Sequence, residues 1–342
     1  MKKRVISIIA VLLILIAAFA GWKIFGPTLS TSNGEFFYIK TGSTYNDVKN
    51  ELIEKKYLHG SNWFDLTSKA LKYKTVKPGR YKITKDMSIF SLVRMLKNGS
   101  QTQVSLVITK LRTKEDLARK LGNMFECDSL QVISYLNNPD SIQKFGLDTN
   151  TVMASVMPYT YNINWNTTPG KIFQKFYTAY EVFWTKERKE KADSLHINPL
   201  QVSTLASIIE EETNNKADKS NIASVYLNRI AKGMPLQADP TLKFAMKNFG
   251  LKRIYEKYFE IQSPYNTYRN TGLPPGPICT PSVETIDAVL NAPKTDYLYF
   301  VASSNFDGSS VFTNNYADHT KFARLYQQAL NKQDSIKKAN SQ

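Results

Sequence analysis

Three consecutive glutamates, Glu210, Glu211 and Glu212, are the residues whose type and position best suit acid–base chemistry. They end a helix that we predict to start at Asn198-Pro199, where a capping asparagine precedes a proline at the first helical position. On a helical wheel Glu212 falls inside the apolar arc, and its two neighbours fall outside it. Desolvation raises the pKa of a carboxyl group, as a general acid near neutral pH requires. The alternative is a charged helix end on which all three glutamates are solvated.

Loops rich in proline, glycine, amides and tyrosines follow these glutamates. Three of them stand out, at residues 236–241, 263–268 and 272–281. Proline restricts the backbone, so such loops are rigid supports for polar side chains. Amides and hydroxyls that bond to sugar hydroxyls, beside aromatic rings that pack on sugar rings, favour carbohydrate recognition. The alternative is an ordinary turn-rich connection between helices.

Regular elements must position these loops, and hydrophobic periodicity predicts where they lie. An amphipathic helix is predicted at residues 221–230, and residues 113–195 are mostly helical. The patterns closer to the N-terminus predict a small α+β module. Its predicted strands lie at 36–39, 78–83 and 104–108. Its predicted helices are one that ends at about residue 57, one at 62–71 and one at 89–96.

The composition excludes several classes of protein. The chain has 342 residues, of which 42% are hydrophobic and 12% aromatic, so it is not a disordered chain and has the length of about two domains. Cys127 and Cys279 exclude a disulfide scaffold and a cysteine-based zinc site, and they form either one disulfide or two unpaired thiols. Three scattered histidines predict no metal site, and we expect no cofactor.

The N-terminus carries a membrane signal. Lys2-Lys3-Arg4 precedes residues 5–22, in which Ser7 is the only polar side chain. This stretch spans about 27 Å as a helix, enough for a bilayer core. We predict an uncleaved anchor, and the alternative is a signal peptide cleaved after Ala18-Phe19-Ala20. In both cases the basic residues stay in the cytoplasm and the rest of the chain lies outside it.

The net charge is strongly positive, since 45 lysines and arginines stand against 29 acidic residues, giving +16. In a cytosolic protein this excess would favour nucleic-acid binding. In an exported chain it favours contact with an anionic membrane surface or an anionic cell wall. We therefore expect no nucleic-acid partner, and the alternative is that the charge only provides solubility.

Motifs that keep their order over residues 205–319 resemble those of the YceG-like endolytic murein transglycosylases. They lie at 205–213, 225–229, 236–241, 263–268, 272–276, 280–281, 294–301, 312–315 and His319. Residues 36–107 resemble the family's LysM-like subdomain. The resemblance implies an α+β fold with a single N-terminal transmembrane helix, a small LysM-like α+β subdomain and an α+β catalytic domain.

The predicted domain boundaries follow from the signal, the module and this resemblance. They are a cytoplasmic tail at 1–4, a transmembrane helix at 5–22, a linker at 23–35, the LysM-like subdomain at 36–107, a mostly helical connection at 108–197, the catalytic core at 198–331 and a polar tail at 332–342.

The resemblance implies a lytic transglycosylase that cleaves the MurNAc–GlcNAc bond of nascent peptidoglycan strands, leaves a 1,6-anhydromuramyl end and terminates glycan elongation. The family's catalytic glutamate directly precedes threonine, so the resemblance assigns this role to Glu212, which the wheel also favours. The middle position, often lysine in relatives, is Glu211, whose charge would raise the pKa of Glu212 further. Residues 158–161 lack the aspartate of the family's Pro-Asp-Thr-Tyr segment, so no role of that aspartate is carried over.

One glutamate suffices for this chemistry, because the C6 hydroxyl of N-acetylmuramic acid attacks C1 of its own sugar and replaces an external nucleophile. The same carboxyl group protonates the leaving oxygen and then accepts the C6 proton. Asp239 is a candidate second carboxylate, and if it held a water the reaction would become hydrolysis. We expect the sugar-binding groove to be lined by Gln237, Asp239, Thr241, Tyr265, Asn266, Thr267 and Asn314.

The expected partners are peptidoglycan glycan strands, the inner membrane and peptidoglycan synthases. The expected location is a single-pass anchor in the cell inner membrane with the catalytic domain on the periplasmic side. The alternative function is a non-catalytic, membrane-anchored peptidoglycan-binding protein that uses the LysM-like subdomain for affinity.

Overall fold

The computed structural model describes residues 2–30, 36–251 and 253–339, and it combines α-helices with small two-stranded sheets. The predicted α+β class is therefore confirmed. The chain divides into two compact units. The first comprises Met1–Leu106, Gly122–Asp128 and Tyr161–Thr168, and the second comprises Val107–Leu121, Ser129–Thr160 and Pro169–Gln342.

The elements of the N-terminal part agree with the predicted module. They are α1 (Lys2–Phe25), β1 (Phe36–Ile39), α2 (Tyr45–Glu54), α3 (Asn62–Ala70), β2 (Gly79–Lys82), α4 (Ile89–Asn98) and β3 (Val104–Val107), with β4 (Thr160–Ile163) added from later in the chain. β1 pairs antiparallel with β2, so that Phe36 lies opposite Lys82 and Ile39 opposite Gly79. β3 pairs with β4. The predicted strands and helices of this module are confirmed.

Local sequence accounts for the ends of these helices. Thr44 caps α2 through a capping box with Asp47, and Ser88 caps α4 with its hydroxyl oxygen. α4 ends at Gly99, whose φ of 70° lies in the left-handed region that glycine adopts at little cost. The elements enclose one core, whose most buried side chains include Phe37, Leu52, Phe64, Tyr81 and Leu92.

α1 has the properties of a membrane-spanning helix. It is 24 residues long and apolar enough to cross a bilayer, and none of its residues is buried in the protein. The helix continues past Trp22 to Phe25, into the predicted linker. Residues 31–35 of that linker lie outside the described residues.

The second unit is mostly helical. Its α-helices and strands are α5 (Lys114–Met124), α6 (Ser129–Asn137), α7 (Pro139–Ile142), α8 (Pro169–Phe183), α9 (Lys186–Ser194), α10 (Pro199–Glu212), α11 (Lys216–Ala231), α12 (Asp239–Ala245), α13 (Val283–Leu290), β5 (Tyr299–Ala302), β6 (Ser310–Thr313) and α14 (Tyr316–Ala339). β5 and β6 form an antiparallel hairpin. α14 extends through residues 332–339, so this part of the predicted polar tail is helical.

α10 is the buried centre of the second unit. Asn198 caps it through a capping box with Gln201, and Pro199 takes the first helical position, as predicted. Each side chain from Val202 to Ile209 is buried, because α11, α12 and α13 all pack against this helix. The end of α10 is therefore held by its surroundings on several sides.

The proline-rich loop at 272–281 packs onto α10. The backbone N–H of Ile278 donates to the Ser207 hydroxyl oxygen at 2.9 Å, and the Thr280 hydroxyl oxygen accepts from the N–H of Leu111 at 2.9 Å. These hydrogen bonds restrict the loop in addition to its prolines. The residues of its second half are buried.

The two cysteines are separate thiols in this structure. Both Cys127 and Cys279 are buried and free. Burial raises the pKa of each thiol, so both stay protonated at neutral pH. The sequence leaves open one disulfide or two unpaired thiols, and the structure has two unpaired thiols.

Candidate active site

Glu212 is the last residue of α10 and is partly exposed. The hydroxyl of Tyr226, a buried residue of α11, donates to Glu212 Oε1 at 2.9 Å. Thr213 then leaves the helix with an extended backbone, at φ −144° and ψ 143°. Because α10 and α11 pack against each other, the tyrosine holds the carboxyl group in one place.

A second carboxylate, Asp239, lies close enough to act on Glu212. It is the first residue of α12, and the hydroxyl of Tyr268 donates to its Oδ1 at 2.5 Å. Its negative charge raises the pKa of Glu212. The structure therefore brings together two of the residues that the sequence singles out, each bonded to a tyrosine.

The pKa of Glu212 is raised to about 7 from an ordinary value of 4.5. Burial among protein atoms is the largest cause, because it disfavours the charged form. The Tyr226 bond lowers the pKa, the Asp239 charge raises it, and the Lys243 charge lowers it. A carboxyl group that titrates near pH 7 can both hold and release a proton under neutral conditions.

Glu210, two residues earlier, is enclosed rather than solvated. Its Oε2 accepts from Lys219 Nζ at 3.1 Å, from the Ser282 hydroxyl at 2.9 Å and from the Thr285 hydroxyl. Burial raises the pKa of Glu210, but these bonds and the Lys219 charge lower it more strongly. The expectation that Glu210 points away from the buried side is wrong, because the wheel considers one helix and ignores the helices packed around it.

Glu211 is paired with two cations. Its carboxylate oxygens lie 3.1 Å from Lys110 Nζ and 2.9 Å from Arg112 Nη2. These cations offset its charge, and the carboxylate whose charge raises the pKa of Glu212 is Asp239. The expected influence of Glu211 on Glu212 is thus replaced by that of a residue far away in sequence.

A groove of about 450 Å³ opens at Glu212. This volume lies within the range of about 300–1,000 Å³ that is typical of ligand sites. The walls come from the end of α10, from α11, from the β5–β6 hairpin and from α14. Among the residues that the structure describes, no group of three or more His, Cys, Asp or Glu side chains could hold a metal ion.

Three of the residues predicted to line the groove lie inside the protein. Thr241, Asn266 and Thr267 are at most 1% exposed. The hydroxyls of the two threonines bond to each other at 2.8 Å. The Asn266 amide donates to two backbone carbonyl oxygens at 2.8 Å, and its Oδ1 accepts from the N–H of Tyr268 at 3.0 Å. In this structure their hydrogen bonds fix the loop that carries Tyr268.

The remaining predicted residues also lie away from the lining of this groove. Gln237 is exposed and has a left-handed φ of 55°. The ring of Tyr265 packs on Phe244 and lines a smaller cavity of about 220 Å³. Asn314 is exposed and donates to Asp296 Oδ2 at 2.5 Å.

Sequence reasoning missed the groups that position the two carboxylates. Tyr226 and Tyr268 belong to motifs of the resemblance, yet no spacing rule connects them with Glu212 or Asp239. Arg229 was missed too, although it is buried and donates to backbone carbonyl oxygens before β5 and before α12. The sequence did contain a signal, since Tyr226 and Arg229 lie three residues apart on a helix predicted to be amphipathic. Buried polar groups require hydrogen-bond partners, so these two side chains could have been expected to bond to other parts of the site.

Comparison with known proteins finds similarity over most of the chain. The model of the YceG-like family matches residues 37–324. A Bacillus subtilis protein named endolytic murein transglycosylase is 31% identical, and the alignment covers 84% of this chain and 83% of that protein. A Streptococcus pneumoniae protein of the same name is 27% identical over 83% of this chain, which spans 56% of that protein.

A crystal structure of a YceG-like protein from Listeria monocytogenes matches with a TM-score of 0.57 and 27% identity, covering 85% of this chain and 99% of that one. The family match extends over most of the chain and includes both carboxylates and their tyrosines. The Bacillus relative aligns over most of both lengths. This chain therefore belongs to the YceG-like family.

Proposed function

We propose that this protein is an endolytic murein transglycosylase that cuts the MurNAc–GlcNAc bond within glycan strands and leaves a 1,6-anhydromuramyl end. The observation that carries the proposal is the state of Glu212. Its carboxyl group has a pKa of about 7, and the residue lines a groove large enough for sugar rings. The names of the Bacillus and Streptococcus relatives support the same activity.

In the first step Glu212 acts as a general acid. Its proton passes to the glycosidic oxygen, the bond from this oxygen to C1 of MurNAc breaks, and GlcNAc leaves with a free hydroxyl. Glu212 is then a carboxylate. The hydroxyl of Tyr226 donates to Oε1 and stabilises this charged form until the second step.

In the second step Glu212 acts as a general base. The C6 hydroxyl of the same MurNAc attacks C1, and its proton passes to the carboxylate, which restores the starting state. No water is consumed, and the tethered nucleophile has an effective concentration that reaches about 10⁵–10⁸ M in well-oriented intramolecular reactions.

Asp239 has an electrostatic role in this proposal. Its charge disfavours ionisation of Glu212, and the Tyr268 hydroxyl fixes its position. A hydrolase would instead use a second carboxylate to activate water. The chemical form of the new glycan end distinguishes the two reactions.

We further propose that α1 anchors the protein in the inner membrane, with everything after it on the periplasmic side. The length and composition of α1 support the anchor, and Lys2-Lys3-Arg4 supports the orientation. This location would place Glu212 beside newly made strands and peptidoglycan synthases. Fractionation tests the anchor, since a processed N-terminus at Gly21 with protein free in the periplasm would contradict it.

Residues 36–107 are proposed to add affinity for glycan as a LysM-like subdomain. The order strand, helix, helix, strand with β1 paired to β2 around its own core supports a separate small module. The rival function, a non-catalytic peptidoglycan-binding protein, would rely on this module alone. Binding of intact strands without any release of fragments would favour it.

The deciding experiment is mass spectrometry of the products after the purified full chain is incubated with isolated glycan strands. We expect 1,6-anhydromuramyl ends from the native protein and none from Glu212→Gln. Glu284→Gln, on the exposed side of α13, is the matched control and should keep full activity. Reducing ends would identify a hydrolase, and unchanged release by Glu212→Gln would remove Glu212 from the reaction.

A further inference from the structure

The groove at Glu212 has an aromatic side formed by Phe306 and Tyr326. Phe306 lies in the loop between β5 and β6, and Tyr326 lies on α14. Their ring centroids are 5.7 Å apart, with the planes inclined at 52°. Phe306 is 41% exposed, so part of its ring is open to a ligand in the groove.

The backbone of Phe306 is held in an unfavourable conformation. Its φ of 57° lies in the left-handed region, where a bulky residue with a Cβ is rarely found. Full burial does not explain the conformation, since the residue is 41% exposed. Strain of this kind persists where the surrounding structure imposes it, and it marks sites of function more often than ordinary loops.

The surrounding structure does impose this conformation. The N–H of Phe306 donates to the carbonyl oxygen of Ser303, and the Asp307 carboxylate accepts from both the N–H and the hydroxyl of Ser309. The Asn215 amide donates to the carbonyl oxygen of Gly308 at 3.0 Å.

Asn215 also links this loop to the end of α10. Its backbone N–H donates to the hydroxyl oxygen of Thr213, the residue that follows Glu212, and its Oδ1 caps α11. The aromatic loop and the end of α10 are therefore joined through one short connection. This connection fixes the position of the ring relative to the carboxyl group.

The charge of the groove limits what can bind beside these rings. Among the described residues that line it, Glu212 is the one carboxylate, and none is Lys, Arg or His. An anionic group such as a phosphate or a free peptide carboxylate would find no cation there. Hydroxyls of Ser309 and Ser310 together with aromatic rings instead suit a neutral ring that carries hydroxyl and amide groups.

We propose that Phe306 and Tyr326 form a binding site for one neutral N-acetylated sugar ring of the glycan strand, in the same groove as Glu212. This inference rests on the proposed function for its substrate class. The apolar face of the sugar packs on the Phe306 ring, and Tyr326 packs against that ring within the same groove. The pair thus acts in substrate binding and takes no part in proton transfer.

The test separates binding from cleavage by using the inactive Glu212→Gln protein. Affinity for isolated glycan strands is measured for Glu212→Gln alone and combined with Phe306→Asn, which tolerates the left-handed backbone. We expect Phe306→Asn to weaken binding roughly 5- to 30-fold. Phe306→Trp should restore it, and Tyr326→Ala should weaken binding less. Tyr316→Ala, an exposed aromatic of α14 outside the groove lining, is the matched control and should bind normally.

In the active protein the same Phe306→Asn change should raise KM for cleavage by a similar factor and leave kcat nearly unchanged. Unaltered binding by Phe306→Asn would overturn the proposal. A fall in kcat alone that Phe306→Trp does not rescue would show a structural role and also overturn it. Normal glycan binding with loss of a protein partner would assign the rings to a protein interface instead.

If the native protein releases no fragments, the proposed function fails, while the binding comparison still decides whether the rings hold sugar.

Discussion

Glu210 and Glu212 are the same residue type, two positions apart on one helix, yet their surroundings drive their pKa values in opposite directions. Glu210 receives hydrogen bonds from Lys219, Ser282 and Thr285, and its pKa is lowered. Glu212 receives a hydrogen bond from Tyr226, and its pKa is raised to about 7. The difference shows that burial, which raises the pKa of both carboxyl groups, is outweighed at Glu210 by several donors and a cation but is not outweighed at Glu212 by one tyrosine.

The largest effect is expected for Glu212→Gln. This change keeps the size of the side chain and removes the proton that the leaving oxygen needs, so cleavage should fall by at least about 10²–10⁴-fold. The release of 1,6-anhydromuramyl ends measures activity, and circular dichroism checks the fold. Activity close to that of the native protein would show that Glu212 is not the proton donor, and the functional difference between the two glutamates would be contradicted.

Glu210→Gln should instead affect stability. It leaves the Lys219 ammonium buried without its anionic partner, which we expect to cost roughly 3 kcal/mol in the free energy of unfolding. Urea denaturation measures this loss, and the folded fraction should still cleave glycan. The double variant Glu210→Gln/Lys219→Met should recover part of the stability, because it removes the unpaired cation. Unchanged stability of the single variant would contradict the structural role.

The third prediction concerns the pH dependence of kcat/KM. Because the acid form of Glu212 starts the reaction, kcat/KM should fall as pH rises through about 7. Tyr226→Phe removes a bond that lowers the pKa, so this fall should move to higher pH by about one unit. Asp239→Asn removes a charge that raises the pKa, so the fall should move to lower pH by a smaller amount. If the pH at which kcat/KM falls moved in the same direction in both variants, the assignment of this fall to Glu212 would be contradicted.

The smallest effect is on stability as a function of pH. A carboxyl group whose pKa is higher in the folded state than in the unfolded state stabilises the protein below about 4.5, and this contribution is lost as pH rises through about 7. Between pH 5 and pH 8 the free energy of unfolding should therefore fall by about 1 kcal/mol more in the native protein than in Glu212→Gln. The difference is small because partial exposure of the carboxyl group reduces the effect. Urea denaturation of both proteins at the two pH values measures the difference.

Local signals allowed most of the fold to be predicted. Asn198-Pro199 predicted the start of α10, and alternation of apolar and polar residues predicted β3. These features depend on neighbouring residues, so a single sequence contains them. The observed α11 begins at Lys216, earlier than the predicted start at residue 221, because its cap is Asn215 and its first turn is polar.

The site could be predicted only in part. Glu212 was singled out because its position on the wheel and the family motif agree, and the structure places it in the lining of the groove. The sequence could not show that Thr241, Asn266 and Thr267 are buried, because polar loop residues look alike whether they bond to a ligand or to another loop. Phe306 carried no signal, since a left-handed backbone at a phenylalanine cannot be read from composition.

The end of α10 at Glu212 has a further consequence through the helix dipole. The carbonyl groups of the last turn form the negative pole of the helix, which disfavours carboxylates, and this helix places three there. Lys219 compensates Glu210, and Lys110 with Arg112 compensates Glu211. Glu212 has no such ion pair among the described residues, so the field of the whole helix acts on it. Ending the helix at this residue makes the backbone itself a contributor to keeping the acid protonated.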